Sequence, residues 1–394
     1  MKILSVHNRY LQRAGEDEST ESENALLREH GHLVVECFED NHDLENPISI
    51  SIGLGAIWSH RSYRRVRGLI AEHSIDLVKI DNFFPQISPA VYYAARRAGV
   101  PSVQSLRNFR IGCPGALLFR AGEVCQQCVG KNLAWPGILH GCYRGSRLMS
   151  AAPALMATVH RMAGTWNHQV TAYVALTDFS RERFLEIGLP ADKIFVKPNF
   201  VADIGPGDGQ GGFALFVGRL APEKGIDTLL SAWKLLRNGF RLKIIGNGPL
   251  AGLVSAAAAT NPLIEWLGDQ PLERVYAEMG EAAMVVFPSK WFETFGRVVA
   301  ESFAKGSPVL AGRLGHMPSM IAHQRSGLLF EQGDPVSLSA EVGWMLDNRE
   351  KWPAMRKAAR DAYEHKYTPE RNYARMMEIY ACVMDLHRNR HERT

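Results

Sequence analysis

Two cations in the second half of the sequence have the spacing of a ligand-binding loop. Arg219 and Lys224 lie in the segment Gly218–Gly225, directly after the apolar run Phe213–Val217 and before a helical pattern that starts at Ile226. An arginine can bind two oxygens of a diphosphate at once, a lysine adds a point charge, and a helix N-terminus favours anions. Taken alone, the same loop is also typical of an ordinary solvated turn.

Two glutamates form a second pattern further along the chain. Glu293 and Glu301 are separated by seven residues and follow the apolar run Met284–Phe287. A helix is predicted to begin near Phe295, so Glu293 is expected at its N-terminus, where backbone N–H groups favour anions. Glu301 lies two turns further on, too far from the helix start to cap it. A solvated helix glutamate is the alternative interpretation.

A glycine-rich turn gives a competing interpretation. Gly246–Pro249 follows the predicted strand Leu242–Ile245, and Glu265 comes about 20 residues later, as in a dinucleotide-binding fingerprint. The third glycine, Gly252, comes one residue late, and Pro249 interrupts the turn. These departures disfavour an NAD-binding function.

Four of the six cysteines lie within thirty residues of one another. They are Cys113, Cys125, Cys128 and Cys142, and the middle two form a Cys-x-x-Cys pair. Four thiolates can close a tetrahedral structural zinc site, with His140 as a substitute ligand. In a reducing cytosol, four free thiols are the alternative, and disulfides are disfavoured.

Length and composition limit the class of protein. A chain of 394 residues exceeds one hydrophobic core, and at roughly 150 residues per domain we expect two domains. A 46% hydrophobic and 22% charged composition excludes a mostly disordered or fibrous protein, and a net charge of +4 does not indicate a nucleic-acid partner. No stretch approaches the ~18–20 apolar residues of a membrane span. The segment Met1–His7 soon turns polar, which predicts a first strand and not a signal peptide. We therefore expect a cytoplasmic protein.

Apolar runs alternate with helical patterns in both halves, which predicts parallel βαβ units and doubly wound sheets. The glycine-rich stretch Gly205–Gly212 separates the halves and predicts a linker. A final helix is predicted over Asn372–Leu386. The other predicted strands are Ile3–Val6, His32–Phe38, Ile75–Ile80, Val100–Leu106, Ile264–Leu267 and Pro308–Ala311, and the other helices are Asn24–His30, Pro89–Arg97 and Ile226–Leu236.

The donor-loop and glutamate patterns resemble those of a known family. Gly218–Gly225 matches the G-R-L-x-x-E-K-G loop of the retaining glycosyltransferases of family 4, and Glu293 and Glu301 match the paired glutamates of that family. The resemblance covers the whole second half of the chain. Within the family, the chain resembles bacterial polysaccharide-assembly members. Further matching segments are Ala304–Val309, Gly315–Pro318, Gly327–Phe330 and Asp334–Pro335.

The resemblance implies an α/β fold of the GT-B type, with two doubly wound Rossmann-like domains, an interdomain cleft and a C-terminal helix that crosses back to the first domain. The expected domains are an acceptor-side domain at 1–204 with a Cys-rich insertion at 113–142, a linker at 205–212, a nucleotide-sugar donor domain at 213–371 and a return helix at 372–394.

The resemblance also implies residue roles. Arg219 and Lys224 would hold the donor diphosphate, Glu301 the ribose hydroxyls and Glu293 the sugar ring, which Glu293 orients without attacking it. The main catalytic work would be stabilising the departing nucleotide diphosphate, whose phosphate helps to deprotonate the acceptor. Other expected donor contacts are Gly15, Gly218, Gly246, Asn247, Leu267, Phe295 and Gly296. The acidic neighbours of Gly15 favour sugar hydroxyls, and a flexible polar loop is the alternative there.

The acceptor side departs from the family pattern. The segments that begin at Asp81-Asn82 and at Arg107-Asn108 resemble family segments that carry histidines where this chain has Asp81 and Arg107. Arg107 is a permanent cation and cannot act as a base. It could bind an anionic acceptor or the leaving phosphate, with Asp81 as its charge partner, and is included among the catalytic residues. Alternatively, the protein is a non-catalytic or altered nucleotide-sugar-binding member of a polysaccharide assembly complex.

Two segments suggest contact with anionic lipid. One contains Arg61, Arg64, Arg65 and Arg67, and the other is the apolar, slightly basic segment Leu148–Met162. A solvated face is the alternative. The predicted function is a retaining hexosyltransferase that moves a sugar from a nucleotide diphosphate sugar, UDP rather than GDP, to a glycan or polyprenyl-linked acceptor at the inner face of the membrane. No cofactor is expected for catalysis.

Overall fold

Two α/β units make up the protein, in a computed structural model that describes residues 1–10, 15–41, 50–236 and 239–391. The first unit contains Met1–Leu118, Cys125–Asn199 and Asn372–Thr394. The second contains Phe119–Val124 and Phe200–Arg371. The α/β fold class predicted from the sequence is confirmed.

The first unit is built on a six-stranded parallel sheet in the order β2-β1-β3-β4-β7-β8. Its four central strands, β1, β3, β4 and β7, are largely buried, as expected for a parallel sheet covered on both faces, and the edge strands β2 and β8 are partly exposed. The chain reverses direction across the sheet between β1 and β3, a topological switch point where ligands commonly bind. The strands are β1 (Lys2–Arg9), β2 (Leu33–Asp40), β3 (Leu77–Asn82), β4 (Ser102–Leu106), β7 (Ala172–Ala175) and β8 (Ile194–Val196). A separate hairpin of β5 (Phe119–Arg120) and β6 (Glu123–Val124), which groups with the second unit, follows β4 along the chain.

Among the described residues, eight α-helices of the first unit precede its last strand. They are α1 (Gly15–Glu29), α2 (Ile50–Ile57), α3 (His60–His73), α4 (Ala90–Arg97), α5 (Trp135–Leu139), α6 (Arg147–Met162), α7 (Thr165–His168) and α8 (Asp178–Ile187). Helix α1 begins nine residues before the predicted helix at Asn24–His30. Acidic residues in its first turn suit the helix dipole. Its buried face is largely polar, so hydrophobic periodicity does not reveal it.

The final helix, α16 (Pro369–His391), belongs to the first unit from Asn372 onward. Its apolar stripe packs against a core formed by β1, β3, β4 and β7. This confirms the predicted return of the last helix to the first domain. The packing residues of the stripe are Met376, Ile379, Tyr380 and Val383.

The second unit repeats the architecture with a parallel sheet in the order β11-β10-β9-β12-β13-β14. This is the doubly wound order, and its switch point lies between β9 and β12. The strands are β9 (Phe213–Val217), β10 (Arg241–Ile245), β11 (Ile264–Gly268), β12 (Met284–Phe287), β13 (Val309–Gly312) and β14 (Gly327–Phe330). The helices are α9 (Ile226–Leu235), α10 (Ala251–Thr260), α11 (Leu272–Glu281), α12 (Arg297–Ala304), α13 (Met317–Met320), α14 (Pro335–Asp347) and α15 (Trp352–Lys366).

The glycine-rich stretch predicted as a linker is packed into the second unit. The N–H groups of Gly207, Gly209 and Gly211 donate to the carbonyls of Lys305, Gly280 and Glu281. A side chain at Gly207 would place its Cβ 2.2 Å from the Cα of Gly280. Glycine is thus needed there for close backbone packing. The chain passes from one unit to the other between Asn199 and Phe200 and not at residues 205–212.

Candidate functional site

The predicted donor residues come together at the switch point of the second unit. Lys224 lies at the end of the loop that follows β9, and Glu293 lies in the loop that follows β12. Their Nζ and Oε1 atoms are 2.6 Å apart. Parallel neighbouring strands place both loops at the same edge of the sheet, which is where ligands bind in open α/β sheets.

Glu293 is held by more than its ion pair. Its Oε1 also accepts hydrogen bonds from Ser289 Oγ and from Trp291 Nε1, both at 2.8 Å. The ammonium of Lys224 lies 5.3 Å from the centroid of the Trp291 ring, within cation–π range. Three donors on one oxygen fix the direction of the carboxylate. Ser289 and Trp291 were not among the predicted site residues.

The other predicted donor charges are also paired within the second unit. Arg219 contacts Glu223 at 2.6 Å, and the Arg219 side chain is 54% exposed. Glu301 contacts Arg297 at 2.7 Å and is buried. The alternative of a solvated helix glutamate is therefore wrong for Glu301. Arg219 is a cation that a ligand can reach.

Close backbone contacts connect the loops of the site. Gly225 has a φ of 71°, and a Cβ there would lie 1.9 Å from the carbonyl oxygen of Pro288. Gly246 has a φ of 126°, and a Cβ there would lie 2.1 Å from the carbonyl oxygen of Gly218. Only glycine fits these positions. The loops after β9 and β10 are therefore in backbone contact with their neighbours.

Helix α12 begins at Arg297, two residues later than predicted, with Gly296 as its N-cap. Glu293 lies four residues before the first helical residue, so the predicted placement at the N-terminus is wrong. Phe295 is buried against Tyr367, with ring centroids 5.6 Å apart. The segment from Glu293 to Gly296 is a packed turn.

The glycine turn after β10 is joined to both of its neighbours. Gly246 N–H donates to Gly268 O at 2.8 Å, and Leu220 N–H donates to Asn247 O at 2.8 Å. Leu267 lies in β11, half-buried beside this turn. A dinucleotide fingerprint needs its acidic residue at the carboxyl end of a strand. Glu265 is instead the second residue of β11 and lies away from the carboxyl end of that strand. The NAD interpretation therefore lacks its acidic residue.

In the first unit, the predicted acceptor-side residues Asp81 and Arg107 belong to a buried cluster of charges. Arg107 Nε donates to Asp81 Oδ1 at 3.0 Å, and its Nη1 donates to Asn199 Oδ1 at 2.8 Å. Its Nη2 lies 3.1 Å from Glu23 Oε1. Lys79 and Lys197 complete the buried charge cluster, which we define as Glu23, Lys79, Asp81, Arg107 and Lys197.

The cations of this cluster lower the pKa values of its carboxylates. Burial raises the pKa of Asp81, but Lys79 and Arg107 outweigh it and lower the pKa to about 2. Burial likewise raises the pKa of Glu23, yet Lys197, Lys79 and Arg107 hold it well below its usual range. Both carboxylates are therefore ionised at neutral pH.

The placement of Arg107 bears on its predicted role. Its side chain is 2% exposed, and Asp81 is its charge partner. Contact with an acceptor requires this cluster to open, so the catalytic role of Arg107 stays a prediction. Glu23, Lys79 and Lys197 were missed, although a lysine inside the apolar run Ile75–Ile80 is a signal of a buried ion pair.

The remaining predicted residues of the first unit include two asparagines that donate hydrogen bonds to other segments of that unit. Asn82 Nδ2 donates to the carbonyl of Asn8 at 2.7 Å, and Asn108 Nδ2 donates to Glu16 Oε1 at 3.0 Å. Gly15 is the first residue of α1. Part of its loop, residues 11–14, lies outside the described residues, and the predicted contact of Gly15 with the donor stays a prediction.

The cysteine prediction also stays untested. Among residues 1–10, 15–41, 50–236 and 239–391, no group of three or more His, Cys, Asp or Glu side chains is arranged to hold a metal ion. Burial, followed by the neighbouring thiol of Cys113, raises the pKa of Cys128 to about 11. Cys125 and Cys142 act in the same direction. Cys113, Cys125 and Cys142 therefore lie near Cys128.

Comparison with known proteins agrees with this geometry. Residues 205–362 match the family of Glycosyl transferases group 1, and residues 46–199 match the Glycosyl transferase 4-like domain. An uncharacterized glycosyltransferase of Methanocaldococcus jannaschii is 29% identical over 45% of this chain and 50% of its own. A D-inositol 3-phosphate glycosyltransferase of Acidothermus cellulolyticus is 29% identical over 52% and 49%. The matches span about half the length of these relatives.

Solved structures share the fold over nearly the whole chain. The Anabaena HepE protein in complex with UDP superimposes with a TM-score of 0.67 at 16% identity, covering 97% of this chain and 100% of its own. Sucrose-phosphate synthase from Thermosynechococcus elongatus gives 0.70 at 14% identity, covering 98% and 100%. Residues 46–199 are therefore similar to a Glycosyl transferase 4-like domain and residues 205–362 to a Glycosyl transferases group 1 domain, and the chain has a GT-B fold.

Proposed function

We propose that this protein is a retaining glycosyltransferase of family 4 that transfers a hexosyl group from a nucleotide diphosphate sugar. The acceptor class is a glycan or a lipid-linked saccharide in polysaccharide or glycoconjugate assembly. The observation that carries the proposal is the meeting of Lys224 and Glu293 at the switch point of the second sheet, 2.6 Å apart. Arg219, an accessible cation, lies on the same loop as Lys224.

The charges of this site suit a departing diphosphate. Arg219 binds diphosphate oxygens with its guanidinium, and Lys224 adds a point charge. Both cations are most useful where negative charge grows, on the oxygen that leaves the sugar. Lys224 is paired with Glu293 in this structure, so a bound diphosphate competes with that carboxylate for the ammonium. Glu293, still held by Ser289 and Trp291, then accepts hydrogen bonds from the sugar ring.

Glu301 suits the nucleoside end of the donor. Its carboxylate is buried and oriented by Arg297 at 2.7 Å. An oriented carboxylate accepts hydrogen bonds from vicinal ribose hydroxyls. UDP is the favoured nucleotide because the Anabaena HepE protein, which shares the fold, is known in complex with UDP and with UDP-glucose. GDP is the next candidate.

Further parts of the proposal concern the surroundings of the enzyme. We place it in the cytoplasm, peripheral at the inner membrane, with no nucleic-acid partner. Structural zinc at Cys113, Cys125, Cys128 and Cys142 is retained as a proposal, and no cofactor is assigned to the reaction. Metal analysis of protein purified without chelator tests the zinc site, and protein free of zinc would remove it.

A second candidate function is that of a non-catalytic nucleotide-sugar-binding member of an assembly complex. It is favoured by one observation, the burial of Asp81 and Arg107, at positions where the family resemblance leads us to expect histidines. Both candidates bind a donor. They differ in turnover, because only an active transferase releases nucleotide diphosphate when an acceptor is added.

The test combines binding and turnover. A thermal-shift panel of UDP- and GDP-sugars identifies the donor, since a ligand at 100 times its Kd stabilises the folded state by about 2.7 kcal/mol. Release of UDP on addition of a polyprenyl diphosphate-linked saccharide then distinguishes the candidates, and NMR of the product anomer tests retention. A shift without acceptor-dependent release supports the second candidate. No shift with any nucleotide sugar contradicts both.

A further inference from the structure

One face of helix α6 exposes apolar side chains to solvent. Leu148 and Met162 are 72% and 81% exposed, and Leu155 and Val159 are both 43% exposed. Their spacing of seven, four and three residues puts all four on one side of a helix with 3.6 residues per turn. The opposite side, which includes Met156 and other buried residues, packs into the first unit. An exposed stripe of this kind is unusual for a soluble surface.

The segment beside α6 extends this apolar surface. Arg147 at the start of α6 donates to the carbonyl of Leu139, and Thr158 near its end donates to the carbonyl of Asn132. Residues 132–139 therefore run alongside α6 in the opposite direction. Trp135 and Leu139 in this segment are 52% and 50% exposed. Of the sixteen large apolar side chains that are exposed among the described residues, seven lie between residues 133 and 162.

The charged residues of the segment that forms this surface have one sign. The sequence has no Asp or Glu from residue 124 to residue 177. Lys131, Arg144 and Arg147 are exposed within that stretch. Residues 46–177 as a whole contain fourteen Lys and Arg against four Asp and Glu, a net charge of +10. The chain totals +4, so the remaining residues carry a net charge of −6.

We infer that the exposed face of α6, together with residues 132–139, is a docking face for an anionic lipid bilayer. The helix would lie in the plane of the bilayer surface with its apolar stripe below the headgroups, while Lys131, Arg144 and Arg147 contact lipid phosphates. Trp135 is the side-chain type that favours the boundary between headgroups and acyl chains. Among the described residues, no helix is long and apolar enough to cross a membrane. This inference deepens the proposed function, on which it rests for its purpose, by naming the surface that meets the lipid-linked acceptor.

Charge complementarity is the reason to choose a bilayer over a second copy of the chain. A symmetric contact through this face would bring Lys131, Arg144 and Arg147 of two copies together without opposing carboxylates. Like charges in contact oppose association. An anionic bilayer supplies the opposite charge and the apolar layer at once.

The experiment measures sedimentation of the full chain with vesicles of phosphatidylcholine, with and without phosphatidylglycerol. Wild type is expected to bind the anionic vesicles and to release them as salt is raised. Leu148→Glu with Met162→Glu should weaken binding by more than about tenfold, because two apolar side chains lose their place in the bilayer. Lys131→Gln with Arg144→Gln should weaken binding to anionic vesicles only, by about fivefold for each charge.

The matched control carries the same charge change on exposed apolar residues of the second unit. Val336 and Leu253 are 63% and 46% exposed, and Val336→Glu with Leu253→Glu should bind vesicles as wild type does. The inference is overturned if wild type fails to bind, if the control loses binding equally, or if the α6 variant keeps it. A wild-type dimer that the α6 variant converts to monomer would instead make this face a contact between copies.

A nucleotide thermal shift on the same variants keeps this inference separate from the proposed function. The α6 variant should keep the shift with the donor nucleotide, because the donor residues lie in the other unit. Vesicle binding without any nucleotide shift would contradict the donor site and leave the docking face standing. A nucleotide shift without vesicle binding would contradict the docking face and leave the donor site standing.

Discussion

The two charged regions of this protein differ in one physical property, their access to solvent. In the first unit, the side chains of the buried charge cluster are at most 5% exposed, and their ion pairs are no longer than 3.1 Å. In the second unit, the pairs Lys224–Glu293 and Arg219–Glu223 are as short, but the cations are 23% and 54% exposed. A closed set of charges stabilises a fold, whereas an open set can exchange a partner for a ligand.

This difference decides which region suits ligand binding. Separating buried opposite charges leaves each of them without water or a partner, which is strongly unfavourable. Exchanging the carboxylate partner of an accessible lysine for a phosphate keeps the charge compensated. The donor loops of the second unit therefore suit a binding role, and the buried charge cluster of the first unit suits a structural one.

The largest expected effect comes from breaking the buried charge cluster. Arg107→Met removes one of the two cations, Arg107 and Lys79, that contact both Asp81 and Glu23, and it should lower the free energy of unfolding of the first unit by about 3–5 kcal/mol. Hydrogen–deuterium exchange of peptides covering β3 and β4 measures the first unit alone. Its control is Arg61→Met, since Arg61 is 76% exposed and lies 3.5 Å from Glu39; a surface pair contributes less than about 1 kcal/mol.

The same variant also distinguishes a structural role of Arg107 from a role in acceptor binding. If Arg107→Met leaves exchange in β3 and β4 unchanged but abolishes turnover with donor binding intact, Arg107 acts on the acceptor. Arg107→His is informative as well. A severalfold gain in transfer without a change in donor affinity would weaken the interpretation that Arg107 binds an anionic acceptor.

The next effect concerns the open region. Lys224→Met should lower the transfer rate by about 10²–10³-fold, because the variant removes the cation that we propose to stabilise the departing diphosphate. The free energy of unfolding should change little, since Ser289 and Trp291 still donate to Glu293. Steady-state kinetics and urea unfolding measure the two quantities.

The matched control for Lys224 is Lys243→Met. Lys243 forms a similar pair with Glu278, 2.7 Å long. Lys243 lies in the middle of β10 and Glu278 in α11, so this pair is not in the loops that follow the strands. Its replacement should leave the transfer rate within severalfold of wild type. Equal losses in both variants would show that any lysine of the second unit matters through folding, and would remove Lys224 from the site.

Acid should lower the stability of the first unit by protonating Asp81 in the buried charge cluster. The pKa of Asp81 is lowered to about 2 in the folded state, against roughly 3.9 in an unfolded chain. Its stabilising effect is therefore complete above about pH 4 and is lost as pH falls through 2, about 2–3 kcal/mol in all. Urea unfolding followed by circular dichroism at steps across this range should show a slope that Asp81→Asn flattens.

Asp203→Asn is the control for the acid prediction. Asp203 pairs with Arg360 at 2.7 Å in the second unit, and its side chain is 58% exposed. An exposed pair is screened by water and contributes little, so the slope should stay as in wild type. A slope that Asp203→Asn changes and Asp81→Asn does not would reverse the assignment of closed and open charges.

The sequence predicts the strands of the second unit well. Phe213–Val217 and Met284–Phe287 have the observed bounds, because short buried apolar runs between turns allow one interpretation. Helix α1 is different, since its buried face includes Glu23, whose partner Lys197 lies 174 residues away. Local pattern contains no information on such a partner.

The candidate site shows the same division. Motif resemblance identifies Lys224 and Glu293 individually, but their contact spans 69 residues and follows from the strand order. The substitution of Arg107 for histidine is visible in the sequence. Its burial between Asp81, Glu23 and Asn199 depends on three different segments of the chain and becomes evident only in the fold.

The smallest expected effect comes from removing a single hydrogen bond at the accessible charges of the second unit. Trp291 Nε1 donates to Glu293 Oε1 at 2.8 Å, and the Trp291 ring lies beside the Lys224 ammonium. Trp291→Phe keeps an aromatic ring next to Lys224 and removes only the donor. Loss of one hydrogen bond to a charged group is worth about 1.5 kcal/mol, or roughly tenfold in kcat. The Kd for the nucleotide should not change, because the proposed function assigns the nucleotide to Glu301 and the cations, and not to Trp291. Trp266→Phe is the matched control, since Trp266 Nε1 donates to the carbonyl of Gly246 and not to a carboxylate. If Trp291→Phe instead weakens nucleotide binding at constant kcat, Trp291 contacts the donor directly, and Glu293 is oriented by Lys224 and Ser289 alone.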